Sequence, residues 1–276
     1  MRYNRFTSAQ KQKQNAQELP LEDPKMYKCE REDEIMALLT ECEYATVEYL
    51  SKKMNISASS IRRDLKNLEE RGLVSRSYGG VKLANASGKR IPFSLRSQEN
   101  SDKKKQLAKA ALRHINEGDV VFLDGSSTVL FLADLISSIS GVTVITNGID
   151  VMSCLSNYDV RAYCTGGAKS KDNNAVLVGE YTQRFLKDIR ADVAIFSVQS
   201  ISDDGSFFDC YAEEVAVRKV MLKNARKKIL LCDSSKMNKA STFYQACVED
   251  VDLIVCDKDL NQFFKDPIPE KYVLAE

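Results

Sequence analysis

Between residues 29 and 71, hydrophobic residues recur at helical spacing and predict three short helices. Ile35 and Leu39 lie one turn apart in the first of these helices. Thr46 precedes the segment VEYLSKKM and Ser57 precedes ASSIRRDLKNLEERG, and both residue types favour the N-cap of a helix. A tight turn joins the second helix to the third. The pattern therefore predicts two helices joined by a turn and supported by the first helix.

The third predicted helix has two faces of different chemistry. Ile61, Leu65 and Leu68 follow the i, i+4, i+7 spacing of a buried stripe. The opposite face carries Ser59, Arg62, Arg63 and Lys66. Such a face fits the major groove of DNA, where arginine binds guanine bidentately and lysine or serine contacts phosphate. A charged face often only solvates a helix, but this one belongs to the second helix of a predicted helix-turn-helix.

A β-hairpin is predicted after the third helix. Gly72 is suited to end that helix, and LVSRSYGGVKL forms two short strands around the turn Tyr78-Gly79-Gly80. The order helix, helix, turn, helix, hairpin over residues 29–84 is that of a winged helix-turn-helix. The predicted partner is a double-stranded DNA operator. The predicted DNA contacts are Ser57, Ser59, Ser60, Arg62, Arg63, Lys66, Arg76, Tyr78 and Lys82.

The distribution of charge supports a nucleic-acid partner. The whole chain of 276 residues carries 40 basic and 39 acidic residues, a net charge of +1. Residues 29–51 hold one basic and seven acidic residues, net −6, whereas residues 52–90 hold ten basic and three acidic residues, net +7. A basic block inside a near-neutral protein is a local electrostatic footprint of the kind that DNA-binding domains show.

The segments that flank the helical unit are polar. Residues 1–28 show no hydrophobic period and are predicted to be a flexible N-terminal arm. This arm is interpreted as a solvated tail, with a nucleic-acid contact through Arg2, Arg5, Lys11 and Lys13 as the alternative. Residues 85–100 are predicted to be a linker, because NASGKR is small and polar.

Composition narrows the class of protein further. No apolar run is long enough for a membrane span and the first residues lack the apolar core of a secretory signal, so we expect a cytoplasmic protein. The eight cysteines form no C-x-x-C pair and His114 is the one histidine. We therefore expect no metal site, no cofactor and no disulfide framework.

Residues 101–276 alternate short apolar runs with helical patterns. Six segments read as strands, namely DVVFL, VTVIT, VRAYC, ADVAIFSV, KKILLCD and VDLIVCD. Strands separated by helices predict a mostly parallel sheet with right-handed crossovers. The predicted fold class is therefore α/β, with an N-terminal winged helix-turn-helix domain and a C-terminal, mostly parallel α/β sheet domain.

Small and polar residues follow several of these strands. Ligands of parallel sheets bind beyond the carboxyl ends of the strands, and exposed backbone N–H groups at such turns bind anions. A single turn of this kind is usually structural, but four of them at one sheet edge favour a shared pocket. The predicted pocket residues are Asp124, Gly125, Ser126, Ser127, Thr128, Thr146, Asn147, Gly148, Gly166, Gly167 and Lys236.

The helical unit resembles the DeoR family of bacterial transcription regulators. The resemblance rests on S-A-S-S-I-R-R-D-L followed by E-E-R-G and R-S-Y-G-G. Ser60 replaces the usual threonine, and Tyr78 stands where histidine is common. Asp64, inside the I-R-R-D-L run, is interpreted as structural, pairing with basic groups rather than contacting bases.

The second domain also resembles that family, whose sensor domain is similar in fold to ribose-5-phosphate isomerase. The matching stretches are DGSST, ITNG, TGG, EEVAVRKVM and LLCDSSK. The resemblance implies a phosphorylated sugar as effector, held by Ser126, Ser127, Thr128 and Asn147, with Lys236 neutralising charge. It places Glu214 on a family glutamate, and Arg218-Lys219 stands where the family has Lys-Arg. Asp209, Glu213 and Glu214 are candidates to bind sugar hydroxyls, with a solvated helix start as the alternative for them.

Catalysis is not expected. The segment Ser197-Val198-Gln199-Ser200 replaces the acidic turn of the isomerases and leaves proton transfer without its carboxylates. The sequence thus predicts a homo-oligomeric transcription regulator, dimer or tetramer. Because the family it resembles consists mostly of repressors, we expect a repressor of sugar metabolism genes. Two alternatives stay open: a sugar-phosphate isomerase with an additional helical domain, and a DNA-binding protein whose second domain only oligomerises.

Overall fold

The computed structural model describes residues 28–42, 44–71, 73–77, 80–83, 93–265 and 271–275. The N-terminal domain, here called the head, consists of α1 (Lys28–Cys42), β1 (Tyr44–Ala45), α2 (Val47–Met54), α3 (Ala58–Glu70), β2 (Val74–Ser77) and β3 (Gly80–Leu83). Its strands form an antiparallel sheet in the order β1-β3-β2. This arrangement confirms the predicted winged helix-turn-helix; Gly72, predicted to end α3, lies outside the described residues.

Side-chain caps start the two central helices of the head. The Thr46 hydroxyl accepts a hydrogen bond from the backbone N–H of Tyr49 at 3.1 Å, and the Ser57 hydroxyl accepts one from Ser60 N–H at 3.2 Å. Each cap satisfies a backbone donor that the first helical turn leaves open. Both predicted N-caps are confirmed. The head closes around a core of Ile35, Leu39, Leu50, Ile61, Leu65, Leu68 and Val81.

The C-terminal domain, here called the sensor, is built from twelve strands and alternating helices among the described residues. In chain order these are α5 (Ser101–Leu112), β4 (Val120–Leu123), α6 (Leu130–Ala133), β5 (Thr143–Thr146), α7 (Ile149–Leu155), β6 (Arg161–Cys164), β7 (Ala168–Lys169), β8 (Leu177–Val178), α8 (Glu180–Lys187), β9 (Ala191–Phe196), β10 (Ser200–Ile201), β11 (Ser206–Asp209), α9 (Ala212–Lys223), β12 (Ala225–Cys232), β13 (Phe243–Cys247) and β14 (Leu253–Cys256), with β15 (Tyr272–Leu274) at the end. A short helix, α4 (Phe93–Gln98), precedes α5.

Seven strands form the main sheet in the order β15-β14-β12-β9-β4-β5-β6, and all six pairings are parallel. Phe122 and Phe196 belong to the apolar cluster on one face of this sheet, and Val121 and Ile195 belong to the cluster on the other. Alternate residues of β4 and β9 thus enter opposite clusters, as expected for strands covered by helices on both sides. The predicted α/β class with a mostly parallel sheet is confirmed.

Two local features of the sensor differ from the sequence-based expectation. A small antiparallel sheet, β10-β11-β13, was not predicted, because its strands are short and follow no clear alternation. The apolar segment VLFLADLISSI, whose pattern predicts one continuous helix, is interrupted: α6 stops at Ala133, and a 3-10 turn covers Ile136–Ser138. The Ser138 hydroxyl donates to Leu135 O at 2.8 Å, a local bond that competes with helix continuation.

The predicted linker, residues 85–100, is not linker throughout. Its last part folds into α4, which contacts α1 of the head. The Arg96 guanidinium stacks over the Phe93 ring, 5.6 Å from the ring centroid, and this contact holds successive turns of α4 together. Within the described part of the chain, no helix is long and apolar enough to cross a membrane.

Candidate functional site

The exposed face of α3 carries the predicted recognition residues. Arg62, Arg63 and Lys66 are exposed, whereas Ile61 and Leu65 of the same helix are fully buried. The i, i+4 stripe fixes which face turns inward, so the arginines are forced outward. Arg62 and Arg63 make no ion pair with any other described residue, and their guanidinium groups are therefore available to a ligand.

The first turn of α3 is ordered by a hydroxyl cluster. Ser57 Oγ lies 2.9 Å from Ser59 Oγ and 3.0 Å from Ser60 Oγ, in addition to its capping bond. Ser57 and Ser59 are exposed, and Ser60 is half-buried. The hydroxyls sit beside the backbone N–H groups of a helix N-terminus, which carries partial positive charge and favours phosphate.

A buried ion pair holds α3 against α1. Arg31 donates to both carboxylate oxygens of Asp64, from Nε at 2.9 Å and from Nη2 at 3.2 Å. The Asp64 side chain is 1% exposed. Asp64 therefore faces the interior, opposite to Arg62 and Arg63, and its predicted structural role agrees with this geometry.

The wing formed by β2 and β3 adds further cations. Lys82 is exposed, and Arg76 lies 3.7 Å from the Glu69 carboxylate of α3. Glu69 also accepts a hydrogen bond from the Arg76 backbone N–H at 3.2 Å. These bonds fasten the start of the wing to the end of α3. Tyr78, the remaining predicted DNA contact, lies outside the described residues.

The sensor contains a cleft of about 70 Å³ beyond the carboxyl ends of three adjacent strands, β4, β9 and β12. The segments after these strands, together with α4, the start of α5 and the start of α9, form its walls. Its lining residues include Arg96, Asn100, Lys104, Ser126, Ser127, Thr128, Ser197, Gln199, Asp209, Glu214, Arg218, Asp233 and Lys236. Six of the predicted pocket residues are thus brought together here: Ser126, Ser127, Thr128, Asp209, Glu214 and Lys236.

One side of the cleft is cationic and lined by hydroxyl groups. Lys236 Nζ donates to Ser197 Oγ at 2.6 Å and to Thr128 Oγ1 at 3.4 Å. Lys104 Nζ donates to Ser127 Oγ at 3.3 Å. Burial and the neighbouring Lys236 charge lower the pKa of Lys104 to about 8. The two ammonium groups lie beside neutral hydroxyls, so both positive charges would stabilise an anion bound between them.

Arg218 lies at the centre of the other side. Its Nε donates to Asp124 Oδ2 at 2.9 Å, and its Nη1 donates to Asp209 Oδ2 at 3.0 Å and to Gln245 Oε1 at 3.0 Å. Burial lowers the pKa of Arg218, but the charges of Asp209, Asp124 and Glu214 raise it more. The pKa of Arg218 therefore lies above its ordinary value. The sequence indicates only that Arg218-Lys219 stands where the family has Lys-Arg, and in the structure Arg218 is the buried residue that binds the surrounding carboxylates.

Of the three carboxylates around Arg218, that of Glu214 lies farthest from the guanidinium. Its Oε1 accepts from Asn173 Nδ2 at 2.8 Å, while its Oε2 lies 3.8 Å from Arg218 Nη2. Burial, and then the Asp209 charge, raise the pKa of Glu214 to about 7. Glu213, its neighbour on α9, is exposed. The alternative of a solvated helix start therefore holds for Glu213 and not for Glu214.

Asp124 organises the cleft floor rather than lining the cleft itself. Its carboxylate accepts from the backbone N–H groups of Ser126 at 3.1 Å and Ser197 at 3.3 Å, as well as from Arg218. Together with Gly125 and Asn147 it borders a smaller adjoining cavity that Glu214 and Arg218 also reach. These three predicted residues thus lie one layer behind the cleft.

Four predicted pocket residues lie away from the cleft. Thr146 is fully buried, and its hydroxyl accepts from the Gly148 N–H at 2.9 Å. A Cβ on Gly148 would approach Gly125 Cα to 2.8 Å, so glycine there allows two strand-end loops to touch. Gly166 and Gly167 have positive φ, and a Cβ on Gly167 would meet the Thr182 hydroxyl of α8 at 2.1 Å. Gly148 and Gly167 thus let backbone segments pack closely, and the Gly166 carbonyl accepts a hydrogen bond from Thr182 Oγ1 at 2.7 Å.

Sequence reasoning missed several residues of the cleft, chiefly Arg96, Lys104 and Ser197. Arg96 was assigned to a linker, and Lys104 was one lysine among three in KKK, with no signal to separate it from its exposed neighbours. Ser197 lies inside the predicted strand ADVAIFSV, whereas β9 ends at Phe196, so Ser197 falls in the turn after the strand. It was interpreted as part of a segment that replaces the acidic turn of the isomerases. Its hydroxyl donates to Leu231 O at 2.6 Å and accepts from Lys236 Nζ at 2.6 Å.

Fold and sites together define a two-domain protein, with a winged helix-turn-helix head and a second domain whose cleft is lined by lysine and hydroxyl groups. The head matches the model of the DeoR-like helix-turn-helix domain over residues 31–87. The sensor matches the model of the DeoR C-terminal sensor domain over residues 99–258. The chain therefore belongs to the DeoR family of transcriptional regulators, as its motifs indicated.

Characterised relatives cover nearly the whole chain. The HTH-type transcriptional repressor GlcR of Bacillus subtilis is 31% identical over 242 residues, 87% of this chain and 93% of that protein. The HTH-type transcriptional regulator GolR of Listeria innocua is 30% identical over 238 residues, 86% and 93%. The glycerol-3-phosphate regulon repressor of Escherichia coli is 27% identical over 234 residues, 84% and 92%.

Among solved structures, ribose 5-phosphate isomerase A of Methanocaldococcus jannaschii aligns with a TM-score of 0.39 at 17% identity, over 51% of this chain and 56% of that one. The similarity is too weak to bear on catalysis. Among the residues that the structure describes, no group of three or more His, Cys, Asp or Glu side chains could hold a metal ion.

Proposed function

We propose that this protein is a homo-oligomeric repressor of sugar metabolism genes, and that a phosphorylated sugar bound in the sensor cleft releases it from its DNA operator. The observation that carries the proposal is that one chain presents two separate surfaces, each suited to an anionic partner. One is the exposed face of α3 with Arg62 and Arg63, and the other is the cleft in which Lys104 and Lys236 face hydroxyl groups.

The effector class follows from the two sides of the cleft. Lys104 and Lys236, with the hydroxyls of Ser127 and Thr128, suit a phosphate group. The carboxylate of Asp209 and that of Glu214 suit the hydroxyls of a sugar, because carboxylates accept hydrogen bonds strongly. The E. coli relative is named for a glycerol-3-phosphate regulon, which is also a phosphorylated polyol system.

The DNA mode follows from the head. In a helix-turn-helix, the second helix enters the major groove and its N-terminal residues contact bases. Arg62 and Arg63 are proposed to contact base edges, with Ser57, Ser59, Ser60, Lys66, Arg76, Tyr78 and Lys82 on the phosphate backbone. A second copy of the chain would supply the second half-site, which is why we propose an oligomer.

The same geometry argues against an enzyme. Asp209 is committed to Arg218 and to the Cys210 backbone N–H at 2.7 Å, so it is poorly placed to remove a carbon-bound proton. Glu214 also lines the cleft, and its raised pKa of about 7 suits a base. Incubation with ribose 5-phosphate tests this: turnover that disappears in Glu214→Gln would support the isomerase alternative instead.

The proposal is tested by operator binding. The full-length protein selects its operator from a random duplex library, and fluorescence anisotropy then measures its affinity with and without glucose 6-phosphate, fructose 1-phosphate, ribose 5-phosphate and glycerol 3-phosphate. We expect at least one of these esters to weaken operator binding tenfold or more. Arg62→Ala with Arg63→Ala should weaken it over a hundredfold, since each good bidentate contact contributes about 1–3 kcal/mol.

Lys105→Ala is the matched control, because Lys105 is an exposed lysine of α5 on the sensor. Circular dichroism confirms that all variants remain folded. Unchanged operator affinity in the double arginine variant would contradict the recognition-helix assignment. A wild-type protein that responds to none of the esters would contradict the effector class.

A further inference from the structure

The helix α4 lies between the effector cleft and the DNA-binding head. Arg96 on this helix lines the cleft, while Phe93 and Ser97 of the same helix border a cavity of about 860 Å³ between the two domains. Head residues Glu32 and Arg71 border that cavity as well. Since α4 also contacts α1, one short helix is in physical contact with both the cleft and the head.

The Arg96 guanidinium carries a hydrogen-bond donor that no described residue satisfies. It stacks on the Phe93 ring, and its Nε is buried without a hydrogen-bond partner among the described residues. A buried donor without an acceptor is costly, and a ligand oxygen in the cleft would relieve that cost. Arginine binds phosphate through two parallel hydrogen bonds, which fixes the position of the helix that carries it.

Lys104 ties α4 to the same group of residues. Its Nζ donates to the backbone carbonyl of Arg96 as well as to Ser127 Oγ. The carbonyl is part of the last turn of α4, so a phosphate that attracts Lys104 would loosen this hold. Both the side chain and the backbone of Arg96 thus respond to an anion in the cleft.

The head transmits a shift of α4 to the recognition helix. α1 contacts α4 on one side, and through the Arg31–Asp64 ion pair it is fixed to α3 on the other. The large cavity beside α4 leaves room for the head to change its position. Packed helices with two arrangements of this kind are a common basis of switching.

We infer that Arg96 binds the phosphate of the effector and is the residue that couples effector binding to the position of the DNA-binding head. The inference rests on the proposed function, because it assumes that an anion in the cleft controls operator release. It adds a binding residue outside the strand-end turns and assigns to it a role in transmission. Coupling of this kind requires an effector that binds two arrangements with different affinity.

The test compares Arg96→Met and Arg96→Lys with wild type. Isothermal titration calorimetry measures binding of inorganic phosphate and of the four sugar phosphates, and fluorescence anisotropy measures operator affinity with and without saturating ester. For Arg96→Met we expect at least tenfold weaker binding of phosphate and ester. We also expect less than half of the wild-type loss of operator affinity at saturation, with each loss measured relative to the same variant without ester. Arg96→Lys, which keeps the charge, should recover part of the binding but not the coupling.

Arg184→Met is the matched control, since Arg184 is an exposed arginine of the sensor paired with Glu180 and remote from α4. Wild-type affinity for phosphate and ester in Arg96→Met would overturn the binding role. Weakened binding with full operator release at saturation would overturn the coupling role. If the wild type itself responds to no ester, the proposed function fails first, which distinguishes that failure from failure of the inference.

Discussion

The head and the sensor place their charges in opposite environments. Arg62 and Arg63 of the head are exposed to solvent, whereas Lys104, Glu214 and Arg218 of the sensor are at most 6% exposed. Exposed cations bind an extended polyanion by displacing its counterions, so their effect depends on salt. Buried charges are held in place by hydrogen bonds and select a small ligand, so their effect depends on protonation.

The largest expected effect comes from removing the buried charge of the head, the Asp64 carboxylate. Asp64→Asn removes the carboxylate that accepts two hydrogen bonds from Arg31 and leaves a guanidinium facing an amide. We expect the free energy of unfolding of the head to fall by about 2–4 kcal/mol, as for other broken buried pairs. Hydrogen exchange of the α3 amides in the full-length protein measures this loss.

Glu70→Gln serves as the control for that experiment. Its carboxylate pairs with Lys66 at 3.8 Å, but both side chains are more than half exposed. The expected loss is below about 0.5 kcal/mol, because exposed pairs contribute little. Equal protection of α3 in Asp64→Asn and Glu70→Gln would show that burial does not set the strength of the head ion pair.

The sensor should show the complementary dependence on pH. Since the pKa of Lys104 is about 8 in the empty cleft, Lys104 loses its proton as pH rises above 8. A bound phosphate raises that pKa, so the bound state holds more protons and affinity falls with rising pH, by up to about tenfold per pH unit. The ester itself stays a dianion in this range, because its second pKa is about 6.

Calorimetry in two buffers of different ionisation enthalpy measures the proton uptake directly. Lys104→Met should abolish the uptake between pH 8 and 9.5, and Lys105→Met, a change at an exposed position of the same helix, should retain it. Effector affinity that is flat from pH 7 to 9.5 in the wild type would contradict the placement of Lys104 beside the phosphate.

The smallest expected effect concerns the wing. Lys82→Ala removes one exposed cation of β3. Operator affinity should fall by a similar factor for specific and random DNA, and the slope of log affinity against log salt should decrease by about 1. Effector affinity should not change. A salt slope equal to that of wild type would remove Lys82 from the phosphate contacts.

The head could be predicted from sequence because its signals are local. Thr46 and Ser57 precede the residues whose N–H groups they cap, and Ile61 and Leu65 lie one turn apart. Each of these relations spans only a few residues, so periodicity and capping chemistry identify them. The partner of Asp64, by contrast, lies 33 residues earlier, and the sequence indicated only that some basic group would pair with it.

The sensor cleft was predictable at its strand ends and not at its walls. Ser126 to Thr128 and Lys236 follow apolar strands, and the carboxyl edge of a parallel sheet brings such turns together. Arg218 meets Asp124 across 94 positions of the chain, and Arg96 enters from a helix that looked like linker. Contacts of that range are fixed by the packing of α4 and α9, which no local pattern describes.

The contact between Gly125 and Gly148 constrains how this sensor could acquire a new ligand. A Cβ on Gly125 would lie 2.9 Å from Gly148 Cα and 2.3 Å from the Val176 side chain. Neither loop has room to retreat, so the floor of the cleft behaves as a fixed template. Ligand preference would then drift through exchanges at rim positions such as Gln199 and Lys239, and directed evolution would do best to randomise those first.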